Sequence, residues 1–256
     1  MIDPFILNSK IDIPFYGAKV AVHQPSLKEI AYIGGQDVLF PGCELLRISK
    51  DIFTESDKVD LDNIKNFDIL MQMILLSPQE LKKSINSLKK VLQIIFPEYE
   101  IVLAPPLEIK LIRGEEIYLI NRDNYDELRQ IISEIFCLTK NDQQENYNPA
   151  GDLSKRIAEK LKNRHRQLAQ KYGNSEKTSI FDRYISILSV GLQKDKNLLM
   201  NYSVYQLFDE FERYQAKMSY DIYVQAKMAG AKDIEDVDNW MKDLHQSSNN
   251  NNEEYI

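Results

Sequence analysis

Residues 141 to 152, NDQQENYNPAGD, interrupt the chain with a stretch that lacks apolar periodicity and carries Pro149 and Gly151. A segment that cannot bury apolar surface does not offset the conformational entropy lost on ordering it, so this one reads as a flexible linker. By the same reasoning SSNNNNEEYI, residues 247 to 256, reads as a disordered tail. The sequences on the two sides of the linker differ in kind. The pattern predicts an α+β fold: an N-terminal α+β domain over residues 1 to 140 with a small antiparallel sheet, then a C-terminal all-helical domain over residues 153 to 246.

In the first part, GAKVAVHQ and DVLFPGCELLRI carry β-branched and alternating apolar residues and read as strands. Between them PSLKEIAYIGG reads as a short helix that Pro25 opens and Gly34 and Gly35 close. SPQELKKSINSLKKVLQIIFP offers Ser77 as N-cap, Pro78 at the first helical position and Glu80 completing the box. Leu81, Ile85, Leu88, Leu92 and Ile95 then recur at three and four, the spacing of a helix face. In YEIVLAPPLEIKLIRGEEIYLINRD, Leu107, Ile109 and Leu111 alternate with polar neighbours and Arg113-Gly114 offers a hairpin turn. NYDELRQIISEIF returns to helix.

The second part predicts four helices with short connections: residues 155 to 172, 178 to 192, 204 to about 229 and 233 to 245. Gly230 suits the end of the third and Asp233 the start of the fourth.

Composition narrows the function classes. A net charge of −7 and a pI near 5.2 argue against nucleic acid as the main ligand. Two cysteines, Cys43 and Cys137, are too few for a disulfide framework and point to a reducing compartment. The start of the chain has no basic region ahead of an apolar core, and the window ILMQMILL is far shorter than a membrane span requires, so a cytosolic protein is expected.

No enzyme signature emerges. His23, His165 and His245 include no pair at metal-ligand spacing, and Gly34-Gly35 lacks the frame of a phosphate loop. Asp233, Glu235, Asp236 and Asp238 lack the glycine and terminal glutamate of a calcium loop and suit a helix start through its dipole. No cofactor or metal is expected. One element is strongly polarised: Lys155, Arg156, Lys160, Lys162, Arg164, Arg166 and Lys171 stand against Glu159 alone. Such a run serves an acidic partner or nucleic acid, or forms a solvated face neutralised by its own domain. The near absence of interleaved aromatics favours the second reading.

The most unusual helix is NYSVYQLFDEFERYQAKMSYDIY, where Tyr202, Tyr205, Phe208, Phe211 and Tyr214 fall at every third position behind an S-x-x-Q capping box at Ser203 and Gln206. At about 100° per residue the rings from Tyr205 to Tyr214 sweep about 180°, more than one core-facing stripe needs. Phe208 and Phe211, central beside Leu207, are expected in the core. Tyr205 and Tyr214, at the edges, are the expected partner contacts, with Met218 and Met228 adding adaptable ones.

HQPSLKEIAYIGGQDVLFPGCELLRISKD, LQIIFPEYEI, and NYSVYQLFDEFERY with AGAKDIEDVDNWMKDLH resemble tail assembly chaperones of long-tailed bacteriophages in texture and order over most of the chain. The resemblance implies a non-enzymatic protein of the host cell cytoplasm that binds the helical tape measure protein, keeps it soluble and helps tail tube subunits gather around it, and that is absent from the finished virion. No short motif defines that family's binding residues, so no site is transferred by the resemblance. The α+β domain departs from the simplest form of the family. Two alternatives remain open: a structural tail or baseplate component retained in the virion, and a phage protein that meets nucleic acid through residues 155 to 171.

Overall fold

The computed structural model describes residues 2–48, 64–75, 82–138, 179–230, 236–237 and 239–241. The predicted linker, the basic run, the tail at residues 247 to 256 and the Ser77-Pro78-Glu80 start of the predicted helix lie outside the described residues.

The chain opens with helix α1 (Pro4–Ser9), capped by the Asp3 side chain, and an antiparallel pair, β1 (Ile13–Phe15) with β2 (Val20–Val22). Helix α2 (Leu27–Ile33) starts at Ser26, whose hydroxyl and Glu29 form a complete capping box, and stops at Gly34, whose φ of 119° is left-handed. The helix thus begins just after Pro25, with Ser26 as its N-cap.

The predicted strand DVLFPGCELLRI is instead helix α3 (Gln36–Arg47). Leu39, Cys43 and Leu46 are buried at helical spacing, and Pro41 sits inside the helix at the loss of one backbone bond. Tertiary packing overrides the strand-like composition here. At Gly42 an added Cβ would lie 2.7 Å from a Val91 methyl and 2.8 Å from the Ser87 carbonyl, so the glycine lets α3 press onto α5 (Lys82–Ile95). Helix α5 turns Leu88, Leu92 and Ile95 inward as its spacing predicts. Helix α4 (Asn66–Leu75) takes in residues 69 to 75 of the ILMQMILL run and buries Phe67, Ile69, Leu70 and Met71. Among the described residues no helix is long and apolar enough to cross a membrane.

A three-stranded antiparallel sheet follows, in the order β3 (Glu100–Ala104), β4 (Glu108–Arg113), β5 (Glu116–Ile120). Ile109 and Leu111 alternate inward, and Arg113 pairs with Glu116 across a tight turn in which Gly114 takes φ +60°. Leu107, expected to begin the strand, lies exposed in the preceding turn. Helix α6 (Tyr125–Ile135) packs on this part and sends the Tyr125 hydroxyl to the Leu46 carbonyl at 2.9 Å.

The second part contributes α7 (Ile180–Leu192), a short α8 (Lys196–Leu199) and α9 (Val204–Met228). The predicted helix over residues 233 to 245 is not seen where the chain is described. Asp236, Val237 and Asn239 lie outside any helix, and Trp240 and Met241 form a turn.

The two parts share one hydrophobic cluster, in which Phe181, Ile185, Leu188, Val204, Leu207 and Phe211 join the interior of the first part. The junction is also hydrogen-bonded. The first N–H groups of α2, which no helix satisfies internally, donate across it: Leu27 to the Tyr202 carbonyl at 2.8 Å and Lys28 to the Met200 carbonyl at 2.9 Å. Ser26 and Ser203, the two N-caps, face each other in an isolated antiparallel bridge.

Candidate functional site: an apolar stripe on the last long helix

Helix α9 has 25 residues and is about 37 Å long. Its start follows the sequence prediction. The Gln206 N–H donates to the Ser203 hydroxyl at 3.1 Å, and the Ser203 N–H donates to the Gln206 side-chain oxygen at 2.9 Å.

Val204, Leu207, Phe211, Tyr214 and Met218 are spaced three and four apart, with Ile222 four further on, so all six lie along one face. In the first half this face is core. Tyr184 of α7 stacks on Phe211 with ring centroids 3.8 Å apart and meets Phe208 edge-on at 5.3 Å. Tyr214 lies half-buried so close to Gly191 that a Cβ there would come within 2.3 Å of the tyrosine ring. Beyond Tyr214 the same face emerges into solvent: Met218 is 40% exposed and Ile222 61%.

The opposite side of the helix, from Arg213 to Lys227, is touched by the chain itself. The Tyr223 hydroxyl donates to Asp236, Lys227 approaches Asp236 at 3.6 Å, and Arg213 donates to the Trp240 carbonyl at 2.9 Å. Arg213 precedes Ile222, and Lys227 follows Met218, by nine positions, about two and a half turns, which sets each pair on opposite sides. The returning segment therefore passes behind the stripe. The Tyr223 hydrogen bond and, less strongly, Lys227 hold the Asp236 carboxyl below its ordinary pKa.

The predicted contact residues divide. Tyr205 is buried, at 6% exposure, and does not keep a wet edge. Angular position around a helix says nothing of what covers it along its axis. The first turns of α9 have neighbours on both sides, with Gln206 donating to the Asn8 carbonyl at the end of α1. Tyr214 is half-buried, Met218 lies on the emerging stripe, and Met228 is 84% exposed at the last helical position. Phe211 is core as expected, and Phe208 is half-buried. Ile222, neither a ring nor a methionine, is a stripe residue that the sequence prediction did not include. Its signal was the continuation of the stripe past Met218.

Lys194 fastens the base of the site, donating to Glu210 at 2.6 Å and to the Tyr202 hydroxyl at 2.9 Å. Burial alone would lower its pKa, but these two hydrogen bonds outweigh burial and raise it.

A pocket of about 290 Å³ lies between the β1–β2 pair and the three-stranded sheet. Its charged groups are engaged locally: His23 meets Asp12 at 3.0 Å, Arg113 meets Glu98 at 2.9 Å, and Lys19 sits over the Tyr16 ring. Cys43 and Cys137 are buried free thiols, and burial pushes the Cys43 pKa well up, away from nucleophilic use. Among the described residues no group of three or more His, Cys, Asp or Glu side chains could hold a metal ion.

Residues 167–245 match the family model described as the YomV second domain. This is a phage-associated domain family, and the matched residues include α7, α8 and α9, hence the whole stripe. The α+β part lies outside the match. No curated protein and no solved structure matches the chain.

Proposed function

We propose that this protein is a non-enzymatic phage tail assembly chaperone that acts in the host cell cytoplasm, binds the tape measure protein and keeps it soluble until tail tube subunits enclose it. The observation that carries this reading is the α9 stripe, which is core as far as Phe211 and solvent-facing at Met218 and Ile222 while the chain folds back along the other side. A long helical client with apolar faces needs a surface of this kind, and a methionine on it adapts to helices of differing shape. The phage association of the matched region and the resemblance of the chain to tail assembly chaperones support the same assignment.

Co-expression with the tape measure protein of the same phage tests the reading. The native chain should keep that protein in the soluble fraction and co-purify with it, and Ile222→Asp should lose both effects while remaining folded. Tape measure protein that is equally soluble with and without the chain would end the assignment. Mass spectrometry of purified particles adds a second check, since a chaperone is missing from them and a structural tail component is retained.

A further inference from the structure

Resting on the reading that the exposed half of α9 meets a partner, we infer that its occupant is an amphipathic α-helix with an apolar seam, recognised by shape and apolar area and indifferent to the partner's charge. That the occupant is helical follows from continuity. The first half of the stripe is already covered by a helix, α7, whose Tyr184 stacks on Phe211 and whose Gly191 lies against the Tyr214 ring. Helix α7 ends at Leu192, where Gln193 turns left-handed, and the stripe runs on without it through Met218 to Ile222. A second helix entering where α7 stops would meet a surface continuous with the one α7 already fits.

Charge indifference follows from the flanks. On one side the charges beside the exposed stripe are Lys217 and Asp221, which bind each other at 2.7 Å one turn apart. On the other side stand Gln215, Ser219 and Ala226, neutral and mostly small, which let a helix approach closely. Asp236 is engaged by Tyr223 and Lys227 on the covered face. A charged partner would thus meet balanced pairs of opposite sign that offer it little net attraction. That same covered face carries the chain's return at Trp240, so the described C-terminal segment is not the occupant.

Synthetic helical peptides with an identical leucine-alanine seam and glutamine, lysine or glutamate flanks, fluorescently labelled and titrated into the full chain, test the inference. The glutamine-flanked peptide should bind with a Kd that changes less than about twofold between about 50 mM and about 500 mM salt, because screening acts only on charge. The charged peptides should bind no tighter at low salt. Ile222→Asp should abolish binding, and Ile222→Ser, which removes apolar area without adding charge, should weaken it in a chain whose circular dichroism is unchanged. Asp221→Lys should create a preference for the glutamate-flanked peptide. A tenfold or greater loss of affinity over that salt range, a strong charge preference in the native chain, or failure of all three peptides to bind would overturn the inference. So would a concentration-dependent dimer dispersed by Ile222→Ser, which would make a second copy the occupant. Peptide binding as expected, with tape measure protein indifferent to the chain, would leave this inference standing and remove the chaperone assignment alone.

Discussion

The two halves of α9 are built from one pattern and meet different fates. Residues 204 to 214 and residues 215 to 228 continue the same stripe in the same unbroken helix. In the first half Val204, Leu207 and Phe211 are buried, and in the second half nothing is. The difference does not lie in helix propensity or in amphipathic spacing. It lies in the neighbours, because α7 spans 13 residues against the 25 of α9 and cannot cover its whole length. An apolar stripe thus marks where a helix can be covered, and the lengths of the adjoining elements decide where it is.

The largest effect that separates the halves should come from Phe211→Ala. The ring is 7% exposed and stacked on Tyr184, so its removal should cost about 3–5 kcal/mol in denaturant or thermal unfolding, the range for a buried phenylalanine. A loss below about 1 kcal/mol would place Phe211 among ordinary surface positions and dissolve the contrast between the halves.

A middle-sized effect concerns the anchor of the buried half. Ser203→Ala removes the hydroxyl that accepts from Gln206, and should cost about 1 kcal/mol, the usual value of an N-cap. Its partner is an uncharged glutamine, so this cost should not vary in mild acid. The facing box at Ser26 uses Glu29 instead. Burial pushes the Glu29 pKa up, but hydrogen bonds from the Ser26 side chain and backbone, with His23 nearby, outweigh burial and leave it lowered. A carboxyl lowered in the folded state contributes stability that is present above its unfolded pKa and lost as pH falls through its folded value. The cost of Ser26→Ala should therefore shrink on acidification while that of Ser203→Ala stays constant. Equal pH slopes for the two variants would contradict this account of the junction.

Much of this fold was legible in the sequence because local and tertiary preferences agree. Ser203 and Gln206 announced the start of α9, Gly34 the end of α2, and Arg113-Gly114 the hairpin between β4 and β5. Where they disagree the reading failed. The run from Asp37 to Arg47 looks like a strand interrupted by Pro41 and Gly42, yet Gly42 is what lets α3 press against α5, a contact invisible without the partner helix. The candidate site was half legible. Met218 and Met228 were found exposed, but Tyr205 was misplaced because periodicity resolves the direction around a helix and is blind to coverage along it.

The smallest expected effect is the most discriminating. Met218→Ser and Ile222→Ser remove apolar atoms from the same stripe that holds Phe211, so spacing alone would predict core-like losses. Exposure predicts otherwise: side chains already wet in the folded chain contribute little transfer free energy on folding, and each variant should stay within about 0.5 kcal/mol of the native stability. Serine is a weaker helix former than either residue's best replacement, but by only a few tenths of a kcal/mol, inside the same window. A loss above about 1.5 kcal/mol at Ile222 would mean that the second half of α9 is covered within the folded chain itself, and the stripe would then have no free face to offer a client. Unchanged stability combined with lost capture of the tape measure protein would instead divide one helix into a half that holds the fold and a half that does its work.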